Sequence, residues 1–167
     1  SFGIDEFGKS APYKDIFKYF GLSVINISNK TEVDSMVAEV EEKLGPVDIL
    51  HNNAATKGSD TKEFFATVEN CTLDNWNEIM AVNLDGLFLV AQAVGTKMAE
   101  RGEGSIIQTG SIYGAMAPDQ RIYKGSSYLG QKINTPPVYS ASKAGVIGLT
   151  KYLSAYWAAS GVRVNSL

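Results

Sequence analysis

Tyr139 and Lys143 stand four residues apart in Val-Tyr-Ser-Ala-Ser-Lys-Ala-Gly-Val-Ile-Gly, residues 138–148. On a helix that interval stacks both side chains on one face. An ammonium beside a phenol stabilises the phenolate and lowers a pKa that starts near ~10, so a tyrosine so placed can exchange protons near neutral pH. The spacing occurs twice in the chain. Eight tyrosines are present, and Tyr128 also has a lysine four places on, at Lys132. Gly125 and Gly130 bracket Tyr128 and no apolar helical period continues past it, so that pair reads as loop. Tyr139 instead opens a long helix. Val146, Leu149, Leu153 and Tyr156 or Trp157 follow at helical spacing and give it a core face, while Ala141, Ala144, Gly145 and Gly148 keep its first turns slim enough for a flat ligand or another backbone. Alone, the pair is explained as well by an ordinary buried tyrosine beside a solvated lysine; other stretches decide the matter.

The elements that must position this pair follow from the apolar pattern. Residues 12–20 give a weak signal for a short helix. Residues 22–27, Leu-Ser-Val-Ile-Asn-Ile, are rich in branched side chains and read as a strand. Thr31 is expected to cap a helix through Val33, Met36, Val37, Val40 and Leu44, stopped by Gly45-Pro46, and residues 47–50 read as a second strand. Thr72 is the expected N-cap of a helix that runs, with or without a kink, to Ala99. A third strand at residues 105–108, the Tyr139 helix and a strand at residues 162–165 complete the order. Strands alternating with helices of this length need crossover connections, which makes the fold α/β: a Rossmann-like, doubly wound parallel sheet with helices on both faces. Ligands in that architecture lie at the carboxyl ends of the strands. Polar groups collect there as expected, with His51-Asn52-Asn53-Ala54-Ala55 after the second strand and Thr109-Gly110-Ser111 after the third.

Composition narrows the function. The 167 residues, 44 % hydrophobic and 20 % charged, suit one soluble domain with a real core, residues 1–167 forming a single unit. A net charge of −3 without a basic stripe gives a nucleic-acid partner no electrostatic support. The apolar run at residues 87–94 is broken by Gln92 and is short for a membrane span, and no signal-peptide pattern opens the chain, so a cytoplasmic protein is expected. Cys71 and His51 are the sole cysteine and histidine, which leaves no disulfide and no metal centre of His and Cys ligands. A Ser-His-Asp hydrolase would have to use His51, which no nucleophile-elbow motif serves. The chain begins at Ser1 and ends within the last expected strand, so truncation at both ends is expected, with the first βαβ unit and the C-terminal part incomplete.

At this point the motifs resemble the short-chain dehydrogenase/reductase superfamily in its compact single-domain form. Residues 48–55, Asp-Ile-Leu-His-Asn-Asn-Ala-Ala, resemble its Asn-Asn-Ala-Gly motif, with Ala55 in place of the glycine. Met80-Ala81-Val82-Asn83-Leu84-Asp85-Gly86 resembles the helix carrying the catalytic asparagine, residues 105–111 the strand delivering the catalytic serine, Tyr139-Ser-Ala-Ser-Lys143 the signature itself, and Gly161-Val-Arg-Val-Asn165 the strand after the active-site helix. The resemblance implies an NAD(P)-dependent oxidoreductase that interconverts a secondary alcohol and a ketone. Tyr139 would be the proton donor or acceptor, Lys143 would assist it and bind the nicotinamide ribose, Ser111 would hydrogen-bond the reacting oxygen, and Asn83 would hold a water that links Lys143 to solvent. Asn26, Asn53, Ala54, Ala55, Tyr139 and Lys143 would contact NAD or NADP, and the protein would be a homodimer or homotetramer. Rival readings are an extended-type epimerase or dehydratase, which the motifs at Asn53 and Asn83 disfavour, and a non-catalytic fragment.

The sequence also departs from the pattern. The phosphate-binding Gly-x-x-x-Gly-x-Gly is absent, and Asn26 stands where relatives carry an aspartate against adenine. Ser111 and Tyr139 are separated by more residues than the resemblance leads one to expect. The extra segment holds Asp119, Gln120, Arg121, Tyr123, Lys124, Tyr128, Lys132 and Pro136-Pro137, and is expected to line the substrate pocket and to favour a polar, sugar-like or anionic small molecule.

Overall fold

Three parallel strands, β1 (Ile49–Asn52), β2 (Gly104–Gln108) and β5 (Val162–Ser166), form the sheet around which a computed structural model arranges residues 25–167, the residues it describes. Their spatial order is β1-β2-β5, with Asn52 and Ser166 flanking Gln108 at the carboxyl ends. Parallel neighbours cannot be joined by a tight turn, and here helices make both crossings. Between β1 and β2 run α3 (Leu73–Met80), a π-helical segment (Ala81–Gly86) and α4 (Leu87–Arg101); between β2 and β5 runs α6 (Pro137–Trp157). The helix α1 (Lys30–Leu44) precedes β1, and a short α2 (Thr61–Phe64) follows it.

One core joins these elements. Val33 and Val37 of α1, Val90, Ala91, Val94 and Met98 of α4, and Leu153 and Trp157 of α6 pack on Ile106, Val162 and Val164 of the sheet. Alternation along each strand puts Ile106, Val162 and Val164 on that face, while Ile49, His51, Arg163 and Asn165 are exposed. Of the two aromatic candidates for the core face of α6, Trp157 is buried and Tyr156 is 67 % exposed. Gly95 makes the choice possible, because a Cβ there would lie 2.3 Å from the Trp157 ring. The helix Leu73–Arg101 is long and apolar enough by length and composition to cross a membrane; 44 % of its most apolar stretch is buried inside the fold, where Ile79, Leu87, Val90, Val94 and Met98 serve the core.

Several elements differ locally from the sequence expectation. Asn29, not Thr31, caps α1: its backbone is extended and its side-chain oxygen accepts from the N–H groups of Thr31 and Glu32, so Thr31 already lies in the first turn. The strand expected at residues 47–50 is β1 at Ile49–Asn52, because the ladder is a backbone property and continues through polar His51 and Asn52 where the apolar run has ended. Of the strand expected at residues 22–27, the first three residues lie outside the described residues, as does the helix expected at residues 12–20. Ile25 and Ile27 pack on the core, and the chain turns at once, with Asn29 N–H donating to Asn26 O at 2.9 Å. Tyr128 belongs to a hairpin rather than an irregular loop. Strands β3 (Ser127–Tyr128) and β4 (Gln131–Lys132) are joined through Leu129 at φ 50° and Gly130 at φ 76°, the two left-handed positions that a tight hairpin turn of this hand requires.

Candidate active site

Helix α6 sets Tyr139 and Lys143 at the carboxyl end of the sheet. Pro137 opens it, its fixed φ suiting the first helical turn and its missing N–H costing nothing there. Lys143 is only 3 % exposed, and its Nζ donates to the Thr109 carbonyl, immediately after β2, at 2.8 Å. Nζ also lies 5.9 Å from the centroid of the Tyr139 ring. Among the described residues no carboxylate pairs with Lys143, and burial holds its pKa below the ordinary lysine value. The buried Ser142 donates to Tyr139 O at 2.9 Å within the same turn.

Ser111 stands at the start of a four-residue helix, α5 (Ile112–Ala115). Its hydroxyl caps that helix by accepting from Tyr113 N–H at 3.2 Å. Gly114 permits the approach of α5 to α6, since a Cβ there would lie 2.5 Å from the backbone carbonyl carbon of Lys143. Asn83 sits within the π segment, fully buried. Its Oδ1 accepts from Thr56 N–H at 2.7 Å and its Nδ2 donates to Thr56 O at 3.2 Å, so the amide pins the loop after β1 to the wide turn. Leu84, the next residue, fills the space above Gly145 of α6, two residues past Lys143. The structure therefore sets the elements that carry Asn83 and Ser111 against the stretch of α6 that carries Lys143.

The expected cofactor-contacting residues divide. Asn53, Ala54 and Ala55 are exposed beyond the carboxyl end of β1. Their neighbour Asn52 does the structural work: it is buried, and its Nδ2 donates to Leu87 O at 2.8 Å, tying β1 to α4. Strand alternation, which turns Asn52 inward and Asn53 outward, was the signal that separates them. Asn26 is exposed, and its side-chain oxygen accepts from both Ser28 N–H (3.0 Å) and Ser28 Oγ (2.7 Å). His51 contacts Thr109 Oγ1 at 3.1 Å.

The long segment between α5 and α6 is ordered by its own polar contacts. Gln120 clamps Thr135 twice, Nε2 donating to Thr135 O at 2.8 Å and Oε1 accepting from Thr135 N–H at 3.1 Å. The Tyr123 hydroxyl donates to the Tyr113 hydroxyl at 3.2 Å and meets Thr135 Oγ1 at 2.8 Å. Tyr128 packs edge-on against Phe65, with Lys57 Nζ 4.6 Å above its ring, and Asn134 Nδ2 donates to Phe65 O at 3.0 Å. The segment is thus anchored both to α5 and to the loop that follows β1. Tyr113 and Thr135 were not among the sequence candidates; Tyr113 was open to notice as the residue two places after Ser111.

Comparison with known proteins identifies the family. The family described as Enoyl-(Acyl carrier protein) reductase matches residues 14–167. Nodulation protein G of Azospirillum brasilense is 41 % identical over 151 residues, 90 % of this chain and 52 % of that protein. D-threitol dehydrogenase of Mycolicibacterium smegmatis is 33 % identical over 85 % of this chain and 46 % of its own. The crystal structure of a short chain dehydrogenase from Leptospira borgpetersenii with bound NAD+ superposes with a TM-score of 0.71 at 36 % identity, covering 85 % of this chain and 50 % of that one. The chain spans about half the length of the curated relatives it matches. The family model spans residues 14–167, which include all four motifs, and the chain belongs to the short-chain dehydrogenase/reductase superfamily.

Proposed function

We propose that the whole protein is an NAD(P)-dependent oxidoreductase interconverting a secondary alcohol and a ketone, with Tyr139 as the acid or base. The observation that carries this reading is the buried Lys143 ammonium, fixed on Thr109 O beside the Tyr139 ring with no carboxylate pairing it among the described residues. An ammonium kept out of water and left unneutralised is placed to stabilise negative charge on the phenol oxygen as a proton leaves it.

The residues present fit the nicotinamide end of a dinucleotide. Lys143 carries three N–H donors and spends one on Thr109, which leaves two for ribose hydroxyls and water. Asn53 offers an exposed amide, and Ala54 and Ala55 a low surface, at the same carboxyl end of the sheet. When bound, the nicotinamide supplies or takes the hydride. Tyr139 then gives a proton to the carbonyl oxygen in reduction and takes one from the alcohol in oxidation, while Ser111 Oγ donates a hydrogen bond to that oxygen. Asn83 has one N–H beyond its bonds to Thr56, and this holds the water that passes the proton onward from Lys143. The exposed Asn26 is assigned to the adenine end. No glycine-rich phosphate loop occurs in these 167 residues, so the pyrophosphate contacts are assigned to none of them.

A polyhydroxylated small molecule is the substrate class we favour, supported by the hydroxyl-rich segment between α5 and α6 and by the likeness to D-threitol dehydrogenase. We assign the protein to the cytoplasm and to a homo-oligomer, residues 1–167 belonging to one dinucleotide-binding domain. The test is a screen of the whole protein with NAD and with NADP against tetritols, hexitols, simple secondary alcohols and the matching ketones, read by the ultraviolet absorbance of the reduced nicotinamide. Turnover of at least one pair is expected; a folded protein inert with every pair and both cofactors would refute the proposal.

A further inference from the structure

We propose that Tyr113 is a specificity-determining residue whose hydroxyl binds a substrate hydroxyl beside the reacting carbon, and that Tyr123 and Thr135 are the positioning residues that orient it. This rests on the oxidoreductase reading above and adds to it the group that tells a polyol from a simple alcohol.

Hydrogen counting along the row supports the assignment. A tyrosine hydroxyl has one proton to give and two lone pairs to receive. Tyr123 gives its proton to the Tyr113 oxygen, so at the 2.8 Å contact with Thr135 it is Thr135 Oγ that donates. The proton of Tyr113 itself then has no acceptor among the described residues. Chains of this kind polarise each successive donor, which strengthens the last one. That last donor stands two residues after Ser111, and α5, which carries it, lies against the backbone of Lys143. The Tyr113 phenol is also within electrostatic reach of Tyr139. A phenol keeps its proton at neutral pH, so Tyr113 stays a neutral donor beside Tyr139. The row is held in place from the far side, where Gln120 fixes both backbone polar groups of Thr135. A neutral, oriented, unspent donor beside a reacting alcohol fits a hydroxyl oxygen on the adjacent carbon.

Kinetics of the whole protein with threitol and with butan-2-ol, in wild type, Tyr113→Phe and Tyr123→Phe, test this. The ratio of kcat/KM for threitol over butan-2-ol is expected to fall about 3- to 10-fold in Tyr113→Phe, the effect of one lost neutral hydrogen bond. The loss is expected in KM more than in kcat, with a smaller fall of the same sign in Tyr123→Phe. An unchanged ratio, or equal losses on both alcohols, would overturn the inference. If wild type oxidises neither alcohol, the oxidoreductase reading is decided by the wider screen above, and saturation-transfer NMR of threitol binding decides this inference by itself: weaker binding in Tyr113→Phe supports it, and equal binding overturns it.

Discussion

Lys143 is a charged side chain held almost wholly out of water, and its single acceptor among the described residues is a backbone carbonyl. Folding therefore costs it hydration that no carboxylate among the described residues returns. The sign of the resulting pH dependence is fixed. Burial lowers its pKa from 10.5, so between the lowered value and 10.5 the unfolded chain binds more protons than the folded one, and stability rises with pH across that window. Below the lowered value the penalty is full and constant. Urea midpoints of wild type and Lys143→Met, measured stepwise from neutral pH upward, should hold a constant difference at first and then shift in favour of wild type as pH approaches 10.5. A difference that stays flat through that range would show that the lysine is not desolvated. At this scale the sequence was informative about types and blind to partners. The four-residue interval placed Tyr139 beside Lys143, but Thr109, which holds the ammonium, is 34 positions away and enters through a carbonyl that any residue would offer.

The π segment Ala81–Gly86 is the element that makes the site possible on the β1 side. One extra residue in a turn widens it and frees room for a side chain to work, and such turns concentrate at functional sites. Asn83 spends that room on Thr56, and Gly86 receives Ile27, since a Cβ on Gly86 would lie 2.8 Å from the Ile27 side chain. Asn83→Ala leaves two backbone groups of Thr56 without their partner, which should cost about 1–3 kcal/mol in chemical denaturation. The variant should also lower activity through the loosened loop; unchanged stability would mean that water replaces the amide at no cost. Gly114→Ala tests the contact between α5 and α6. Its Cβ would meet unyielding Lys143 backbone at 2.5 Å, so α5 must move away and carry Ser111 with it. About 1–3 kcal/mol of destabilisation is expected, as for overpacking elsewhere, together with a drop in kcat; a variant as stable and as active as wild type would contradict the close packing. The apolar period revealed the long helix through residues 73–101 and the one opening at Tyr139, because burial on one face repeats along the chain. It did not reveal the π turn, which keeps the same apolar residues inward. Nor did it reveal the hairpin, whose two-residue strands are too short to show a period, or the row between α5 and α6, whose contacts join single residues ten to fifteen positions apart.

For the molecule as a whole, α1, α4 and α6 form one layer over the sheet, and the outer side of that layer is apolar in one place. Phe88 of α4 and Tyr152 and Tyr156 of α6 are exposed there, the two tyrosine rings stacked with centroids 5.8 Å apart, around a groove of about 530 Å³. The proposed homo-oligomer would bury this face, since large exposed aromatic patches mark association surfaces. Tyr156→Glu should then lower the mass of the whole protein in sedimentation equilibrium, and an unchanged mass would place the subunit contact elsewhere. The strand-helix alternation was enough to name a parallel α/β fold from the sequence, and the motif order enough to name the superfamily, because both depend on local pattern. The central claim is narrower than either: Tyr139 moves the proton. It is tested most directly by comparing the whole protein with its Tyr139→Phe variant on the best alcohol and cofactor, with folding and cofactor binding checked in both. Loss of the phenol hydroxyl should reduce kcat about 10²- to 10⁴-fold while cofactor affinity is kept, the range for a positioned general acid or base. Equal kcat in the two proteins would contradict it.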